Sequence, residues 1–535
     1  MSEPAALPEE QSGPTEQAFS AELTSPTHAP ATQNPATQAP PNTPVGPTEF
    51  TYDLLVIGSG PGGQRAAIQA AKLGKKVAVV EKKAVVGGVC INTGTIPSKT
   101  FREAIMHLSG YNERGLYGAS YAVKADITVQ DLLLRTSSVM SHELDVVRNQ
   151  LHRNRIETIN AEASFAGPHT VRLLDVKSGS QRDVTARHIV IATGTRAARG
   201  NGVPFDGVRV IISDDILDLT EMPRTVTVIG GGVIGCEYAR MFAALGVRVT
   251  LIDKRPRLLE FVDHEITDVL AYQLRQNRMT LRLGEAVESV AHTQGRLGEQ
   301  VRVVLESGKE IVSDMVLYAV GRVGSTDRLN LEAAGLSADA RGRIAVNPHY
   351  QTATPHIYAV GDVIGFPSLA SVSMEQGRLA ACHAFGVPTQ SVPELFPYGI
   401  YTIPEISTVG KNEEELTSAG VPYEIGKAQY REIARGQIIG DEQGTLKLIF
   451  HLDTRELLGV HIIGTGASEL IHVGQAVMAF GGTVDYFVNT VFNYPTLAEC
   501  YKTAAFDGIN RLGSVPELEP KLEPAADVGV VVSAD

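Results

Sequence analysis

The sequence has few cysteines, no Lys or Arg in its first fifty positions, and no apolar run long enough to cross a membrane. The four cysteines, Cys90, Cys236, Cys382 and Cys500, are scattered, which excludes a disulfide framework and any metal-ligand spacing. We therefore predict no metal site and a reducing, cytoplasmic compartment. The formal net charge of −13 argues against nucleic acid or an anionic membrane as a partner.

Both ends of the chain differ in composition from the middle. Residues 1–48 are rich in Pro, Ala, Thr, Gln and Glu without apolar periodicity, so we expect a disordered tail. Residues 514–535 are also Pro-rich and acidic, and we expect a second flexible tail there. The chain has 535 residues, of which 43% are hydrophobic, and this predicts two to four domains with substantial cores.

The organised part opens with a strand, a glycine turn, a helix and a second strand that ends at Glu81. Gly58 permits the tight turn, Gly60 lets the backbone approach a pyrophosphate, and Gly63 allows close packing of helix on strand. The strand is predicted over residues 52–57 and the helix over residues 64–73. Glu81 would accept hydrogen bonds from a ribose hydroxyl. The predicted contacts of this first unit are Gly58, Gly60, Gly62, Gly63, Glu81 and Lys82.

The same unit recurs later in the chain. A strand over residues 225–229 leads into a second glycine turn, a helix to residue 245, and a strand that ends at Asp253. The predicted nucleotide contacts of this turn are Gly230, Gly232 and Gly235. Two complete fingerprints in one chain predict two bound dinucleotides.

The residues after the second unit bear on nucleotide choice. An acid such as Asp253 bonds the 2′-hydroxyl of NAD, whereas Lys254 and Arg255 suit the 2′-phosphate of NADP, with Arg257 as a further candidate. Both chemistries together predict a site that accepts either nucleotide.

A third stretch, residues 87–99, reads GGVCINTGTIPSK. A redox-active dithiol of the form Cys-x-x-x-x-Cys would need a second cysteine at position 95. Thr95 stands there, and it can form neither a thiolate nor a disulfide with Cys90. Half of the dithiol is missing.

From about residue 51 to residue 513 the sequence resembles the pyridine nucleotide–disulfide oxidoreductases, which include lipoamide dehydrogenase and glutathione reductase. That family carries the second cysteine at the position of Thr95 and a catalytic histidine at the position of Tyr494, while Glu499 matches its glutamate. The stretches GTIPSK, GCEY and FNYPT are similar to one branch, the soluble FAD-dependent pyridine nucleotide transhydrogenases.

The resemblance implies an α/β fold with two Rossmann-like dinucleotide-binding domains, for FAD and NAD(P), and an α+β C-terminal dimerisation domain. Its boundaries are the first part of the FAD-binding domain at 49–200, the NAD(P)-binding domain at 201–322, the second part of the FAD-binding domain at 323–394, and the dimerisation domain at 395–513. We therefore expect a homodimer or a higher homo-oligomer.

The resemblance also assigns residues to the chemistry. It places Lys99 near the flavin N5, paired with Glu237, and Asp362 on the ribityl chain of FAD. The remaining implied cofactor contacts are Gly87, Gly88, Cys90, Thr95, Gly194, Gly321 and Arg322. The implied activity is that of a Si-specific NAD(P)+ transhydrogenase, which moves hydride between NADP(H) and NAD(H) through FAD without a thiol.

Three other functions stay open on the sequence alone. A lipoamide dehydrogenase-like disulfide reductase is opposed by Thr95 and Tyr494. A flavoprotein subunit tethered to a larger complex through the N-terminal tail is the second. The third is a flavoprotein that passes electrons to oxygen or quinones.

Overall fold

The computed structural model describes residues 50–118, 120–295, 298–389 and 395–512. The two predicted tails, at 1–48 and 514–535, lie outside these residues. Within the described ranges, no helix combines the length and the apolar character that a membrane span requires.

The first nucleotide-binding sheet begins the described chain. Its elements are β1 (Tyr52–Ile57), α1 (Pro61–Lys72), β2 (Val77–Glu81), α2 (Gly88–Asn92), α3 (Thr95–Ser109), α4 (Arg114–Tyr117), α5 (Val129–Arg153), β3 (Glu157–Gly167), β4 (Thr170–Asp175), β5 (Gln181–Ile191) and β6 (Thr195–Ala197). Strands β3, β2, β1 and β5 pair in parallel in that order, and β4 joins β3 and β5 antiparallel. The apolar run of β1 is buried on both faces, as a central parallel strand requires.

Helix α1 begins three residues earlier than the sequence predicts. The glycine turn ends at Gly60, and Pro61 occupies the first helical position. Proline suits this position because its fixed φ is helical and the N–H it lacks would have no partner within the helix. The first glycines after the turn therefore belong to the helix and not to a longer loop.

The second nucleotide-binding sheet follows. Its elements are β7 (Val210–Ile211), β8 (Thr225–Ile229), α6 (Val233–Ala244), β9 (Arg248–Asp253), α7 (His264–Gln276), β10 (Thr280–Leu283), β11 (Val287–Gly295), β12 (Gly298–Leu305), β13 (Glu310–Ser313) and β14 (Met315–Tyr318). Strands β10, β9, β8, β14 and β7 form a parallel sheet in that order, and β11, β12 and β13 form a separate antiparallel sheet. Both predicted fingerprints thus lie at strand–turn–helix corners of parallel sheets.

The chain then returns to the first sheet through β15 (Arg322–Gly324), β16 (Ile357–Ala359) and α8 (Ala370–Ala384). Strand β15 pairs with β6, and β16 adds to the first sheet beside β5. Helix α8 packs closely on α1, since a Cβ built on Gly377 would lie 2.0 Å from the carbonyl oxygen of Gly62.

The C-terminal part is an antiparallel sheet with helices. Its elements are β17 (Tyr398–Ile400), β18 (Ile406–Gly410), α9 (Glu413–Ala419), β19 (Tyr423–Gln429), α10 (Ala434–Ile438), β20 (Thr445–His451), β21 (Leu457–Ile463), α11 (Ala467–Ala479), α12 (Asp485–Asn489) and α13 (Glu499–Arg511). The strand order is β17, β18, β21, β20 and β19. The predicted α/β class is therefore confirmed, with an α+β part at the C-terminal end.

One hydrophobic core joins the three parts. It contains Phe101 from α3, Tyr238 from α6, and Ile400, Ile403 and Ile406 from the C-terminal part, all buried. Helices α3 and α6 thus meet each other and the C-terminal sheet in one packed volume.

Candidate active site

The first glycine turn has the geometry that its sequence predicts. Gly58 has φ +104°, and a Cβ there would lie 2.3 Å from the carbonyl oxygen of Ala192. A Cβ on Gly63 would lie 2.0 Å from the oxygen of Gly58, whereas one on Gly60 would meet open space. Among the described residues no side chain caps α1. Its first N–H groups are therefore available to phosphate oxygens.

The second turn repeats this geometry closely. Gly230 has φ +111° and would place a Cβ 2.4 Å from the oxygen of Ala319, and a Cβ on Gly235 would lie 1.8 Å from the oxygen of Gly230. Gly232 again faces open space, and no described side chain caps α6. The two turns are built to hold the same kind of group.

A cavity of about 770 Å³ lies at the first turn. Ten of the residues predicted to bind cofactor line it: Gly58, Gly60, Gly62, Glu81, Lys82, Gly88, Cys90, Thr95, Gly194 and Asp362. Gly63 and Gly87, which were also predicted, are not among the residues of the described ranges that line the cavity. Gly63 packs α1 on β1, and the Gly87 N–H donates to the oxygens of Ser59.

Three hydrogen bonds from neighbouring residues hold the Glu81 carboxylate in place. Its Oε2 accepts hydrogen bonds from the Ser59 hydroxyl at 2.6 Å and the Ser59 N–H at 3.1 Å, and its Oε1 accepts one from the Lys83 N–H at 2.9 Å. The carboxylate therefore lines the cavity in a fixed orientation suited to a ribose hydroxyl.

Asp362 lies in the same cavity, in the short 3-10 turn that follows β16. Burial raises the pKa of this carboxyl, although nearby Arg322 and a 3.1 Å hydrogen bond from the Thr195 hydroxyl oppose the shift. Arg322, predicted as a cofactor contact, donates hydrogen bonds to the hydroxyl and carbonyl oxygens of Thr195 at 2.8 and 2.9 Å. Arg322 is thus linked to Asp362 through Thr195. Neighbouring Gly321 has φ +127°, and a Cβ there would meet open space.

The predicted pairing of Lys99 with Glu237 is confirmed. Lys99 Nζ lies 3.0 and 2.8 Å from the two carboxylate oxygens of Glu237, which links α3 to α6. The Lys99 side chain is 26% exposed and that of Glu237 only 4%. Lys99 follows Thr95, which lines the cavity, by one helical turn, and its charge opposes the rise in the pKa of the Cys90 thiol in the same lining.

Tyr401 completes this group, and the sequence gives no sign of it. Its N–H donates to Glu237 Oε1 at 2.8 Å, and Lys99 Nζ lies 4.8 Å from the centroid of its ring. Tyr401 is more than 160 positions from Glu237, and only the fold brings them together. Ser59 and Thr195 were missed as well, although the position of Ser59 inside the glycine turn was a usable signal.

The thiol at the cavity has no partner thiol. All four cysteines are free. Burial raises the pKa of the Cys90 thiol, although a side-chain hydrogen bond with Thr95 opposes the shift. A thiol with a raised pKa is a poor nucleophile at neutral pH, so Cys90 is suited to lining the cavity rather than to reacting.

Asp253 and Arg255 form a tight pair at the second turn. The Arg255 side chain donates to both oxygens of Asp253, at 2.9 and 2.7 Å, and the backbone N–H groups of Gly231 and Arg255 bond the same carboxylate. Burial would raise the pKa of Asp253, but these bonds outweigh it and the pKa is lowered. Lys254 is exposed beside the pair.

Tyr494 and Glu499 lie away from the cavity of their own chain. The side chain of Tyr494 is 74% exposed, between α12 and α13. Glu499 accepts a hydrogen bond from the Thr496 N–H at 3.3 Å at the start of α13. Neither residue is among the described residues that line the cavity.

The cavity at the first turn fits FAD, because it offers open N–H groups for the pyrophosphate, a fixed carboxylate for a ribose, and a second carboxylate further along. The turn beside Asp253 fits a second dinucleotide, and the Lys99–Glu237 pair bridges the two domains. This is the arrangement of a two-dinucleotide flavoprotein oxidoreductase.

The chain belongs to the pyridine nucleotide-disulphide oxidoreductase family. Residues 52–377 match the family's characteristic domain, and residues 396–505 match its dimerisation domain. The predicted family is confirmed, and the protein is an FAD-dependent oxidoreductase.

Individual relatives narrow the comparison. The soluble pyridine nucleotide transhydrogenase of Mycobacterium bovis (strain BCG / Pasteur 1173P2) is 56% identical over 461 residues, covering 86% of this chain and 98% of the relative. The protein of the same name from Colwellia psychrerythraea is 47% identical over 469 residues, covering 86% of this chain and 99% of the relative.

Solved structures share the fold. LpdA from Mycobacterium tuberculosis is 25% identical in sequence and superposes with a TM-score of 0.78. The match covers 85% of this chain and 99% of the LpdA chain. The HOCl-induced flavoprotein disulfide reductase RclA from Escherichia coli is 27% identical with a TM-score of 0.75 and the same coverage.

Proposed function

We propose that the protein transfers hydride between NADPH and NAD+ through FAD, without a redox-active disulfide. The overall reaction, NADPH + NAD+ → NADP+ + NADH, moves one hydride and no net proton. The proposal rests on one observation: the chain has two complete glycine turns of the dinucleotide-binding kind, and the Lys99–Glu237 pair links α3 to α6, the helix that follows the second turn. Relatives at 56% and 47% identity that bear the name of this activity support it.

Bound FAD would supply the two-electron hydride chemistry, and the residues of the first glycine turn, with Glu81 and Asp362, would hold it. The protein positions both partners. The first turn and Glu81 hold the flavin nucleotide, and the second turn holds the nicotinamide nucleotide. Lys99 places a fixed positive charge beside the cavity, in a setting that excludes much of the water.

The remaining residues fit this reaction better than a thiol relay. A relay needs a thiolate at Cys90, a second sulfur at position 95 and a proton acceptor. Burial disfavours the Cys90 thiolate, Thr95 carries a hydroxyl, and an exposed Tyr494 replaces the histidine of the resembling family. We therefore propose that this site exchanges hydride without any thiol step.

We propose further that one site takes both nucleotides in turn. Arg255 holds both oxygens of Asp253. The 2′-phosphate of NADP would draw the guanidinium away, whereas the 2′-hydroxyl of NAD would donate to Asp253.

Replacing Arg255 with alanine should therefore separate the two substrates. We expect KM for NADPH to rise roughly ten- to a hundredfold, because a charge-assisted contact is worth about 1.5–3 kcal/mol. KM for NADH should change less than about threefold. Steady-state kinetics with each nucleotide measure the difference. Arg248→Ala, at the opposite end of β9, is the matched control, and an equal rise for both nucleotides would refute the phosphate contact.

The reaction itself is tested with purified holoenzyme under anaerobic conditions. NADPH should bleach the flavin absorbance, and NAD+ added afterwards should restore it with formation of NADH. Flavin that stays reduced after NAD+ would refute the proposal. Rapid NAD+ reduction by dihydrolipoamide would favour the disulfide reductase instead.

We propose a homodimer formed through the C-terminal part. The match to a dimerisation domain supports it, as do its exposed large apolar side chains, among them Phe480 at 90% and Val491 at 90% exposure. Sedimentation equilibrium should give twice the chain mass, and a monomer at micromolar concentration would contradict it. The cytoplasmic location stays a prediction from the scattered cysteines.

A further inference from the structure

Two helices carry matching pairs of charged residues where they meet. On α3, Lys99 and Arg102 are three positions apart, and on α6 the same spacing separates Glu237 and Arg240. Residues at this spacing share one helix face. Lys99 and Glu237 bond each other across the junction. The two arginines, which are both cations, each bond a third element.

That element is the junction loop, residues 401–403, which follows β17 in the C-terminal part. Arg102 Nε donates to the carbonyl oxygen of Thr402 at 3.0 Å, and Arg240 Nε donates to that of Ile403 at 2.7 Å. The Tyr401 N–H donates to Glu237 at 2.8 Å. Three consecutive residues of one loop thus bind both helices.

The contacts are buried. Arg240 is 0% exposed, and its guanidinium lies 4.7 Å from the ring centroid of Tyr111. Thr402 and Ile403 are 0% and 1% exposed. Hydrogen bonds to a charged donor in such surroundings are stronger than at a surface, and they fix their geometry more firmly.

The loop therefore touches every part of the charged junction. It bonds Glu237 directly, it lies against Lys99 through the Tyr401 ring, and it anchors each helix through an arginine one turn further on. A shift of the loop would move Glu237 relative to Lys99, and a shift of either helix would strain the loop.

We infer that the junction loop, held by Arg102 and Arg240, sets the position of α3 against α6 and so aligns Lys99 and Glu237 for hydride transfer. The C-terminal part is then a component of the active site of its own chain, separate from any role in dimer formation. Arg102 and Arg240 are positioning residues, since they act through the loop. The inference rests on the proposed hydride-transfer function.

Arg240→Met is the principal test variant, because methionine fills a similar volume and replacing a buried charge by an apolar side chain is often tolerated. Arg102→Met tests the other anchor, and keeps the inference testable should Arg240→Met not fold. Arg302→Met is the matched control. The Arg302 side chain is 46% exposed and lies 3.3 Å from Glu310, on strand β12 of the separate antiparallel sheet.

Two readouts are made on each holoenzyme. Single-turnover reduction of the flavin by NADPH reports hydride transfer, and hydrogen–deuterium exchange reports protection of residues 401–403. We expect the limiting transfer rate to fall roughly ten- to a hundredfold in either junction variant, because small misplacement of reacting groups costs rates of this order. The apparent Kd for NADPH, from the same single-turnover series, should be nearly unchanged. Exchange at the loop should rise, while flavin content and its absorbance spectrum stay as in the wild type.

An unchanged transfer rate would overturn the inference, and so would a slower rate with an equally protected loop. The wild type serves as the reference for the proposed function itself. If the wild type transfers no hydride from NADPH to NAD+, the function is wrong, yet the exchange measurement still decides whether the arginines hold the loop.

Discussion

Replacing Lys99 with methionine should slow hydride transfer roughly 10²- to 10³-fold, the range seen when one fixed electrostatic group is removed from an active site. The methionine keeps the apolar stem of the side chain and removes its charge. Glu237, whose side chain is 4% exposed, would then keep, among the described residues, only the Tyr401 N–H as a hydrogen-bond partner. The loss should appear in single-turnover reduction of the flavin by NADPH.

The Lys99–Glu237 contact makes a second variant informative. Combining Lys99→Met with Glu237→Gln removes the buried charge that the single variant leaves behind, so the two effects should be non-additive. Lys124→Met is the control, because Lys124 pairs with Asp131 at 2.6 Å on the exposed surface. A Lys99→Met enzyme that transfers hydride within threefold of the wild type would show that the charge beside the cavity has no catalytic role.

Replacing Lys447 with methionine should destabilise the protein by about 3–5 kcal/mol, the cost of breaking a buried ion pair from one side. Lys447 is 1% exposed and joins the C-terminal sheet to α7. Its Nζ lies 2.9 Å from both oxygens of Asp263 and 3.2 Å from Glu265, and it also contacts Glu413. Asp263 is fully buried and would lose its cation. The thermal unfolding midpoint measures the effect.

Lys411→Met provides the comparison, because Lys411 is 63% exposed and lies 3.9 Å from Glu415. Exposed pairs of this kind contribute at most about 1 kcal/mol, so this control should unfold near the wild-type temperature. Equal midpoints for the two variants would mean that the buried cluster adds no more than a surface pair.

The same cluster should make stability depend on pH at the acid end. Burial by itself would raise the pKa of Asp263, but the charges of His461 and Lys447 outweigh burial, so the pKa is lowered. Burial would also raise the pKa of Glu265, and its hydrogen bonds with Lys427 and Lys447 lower it instead. A carboxyl group whose pKa is lowered by folding stabilises the folded state at any pH above its unfolded-state pKa, which is 3.8 for Asp263 and 4.5 for Glu265. This stabilisation is lost as the pH falls through the lowered pKa of the folded state. The midpoint difference between wild type and Lys447→Met should therefore shrink below pH 4.

The glycine turns were predictable because their geometry is local. A positive φ at Gly58 and at Gly230, and a close approach at Gly63 and at Gly235, depend on neighbours within a few residues and on the adjacent strand. Glycine is the residue type that meets these requirements, because it has no Cβ, so the sequence itself marks the positions. The start of α1 was misjudged by three residues because the helical preference of proline at the first position was not used.

Contacts between distant segments were not predictable in the same way. The Lys99–Glu237 pairing was expected only through family resemblance. Asp253 and Arg255, which were expected to contact different nucleotides, form an ion pair with each other. Arg322 was expected to contact a cofactor, and its bond to Thr195, which in turn bonds Asp362, was not expected. The proposed domain boundaries and the two tails stay predictions.

The sequence by itself determined where the two glycine turns lie and that no dithiol stands at Cys90, since these depend on residue type at a few adjacent positions. Only the tertiary structure decided what surrounds the Lys99–Glu237 pair, because Arg102 and Thr402 are 300 positions apart and Lys447 and Asp263 are 184 apart. No local pattern encodes such partners. They follow from burying the apolar faces of three parts of the chain in one core, which brings their charged residues within hydrogen-bond distance.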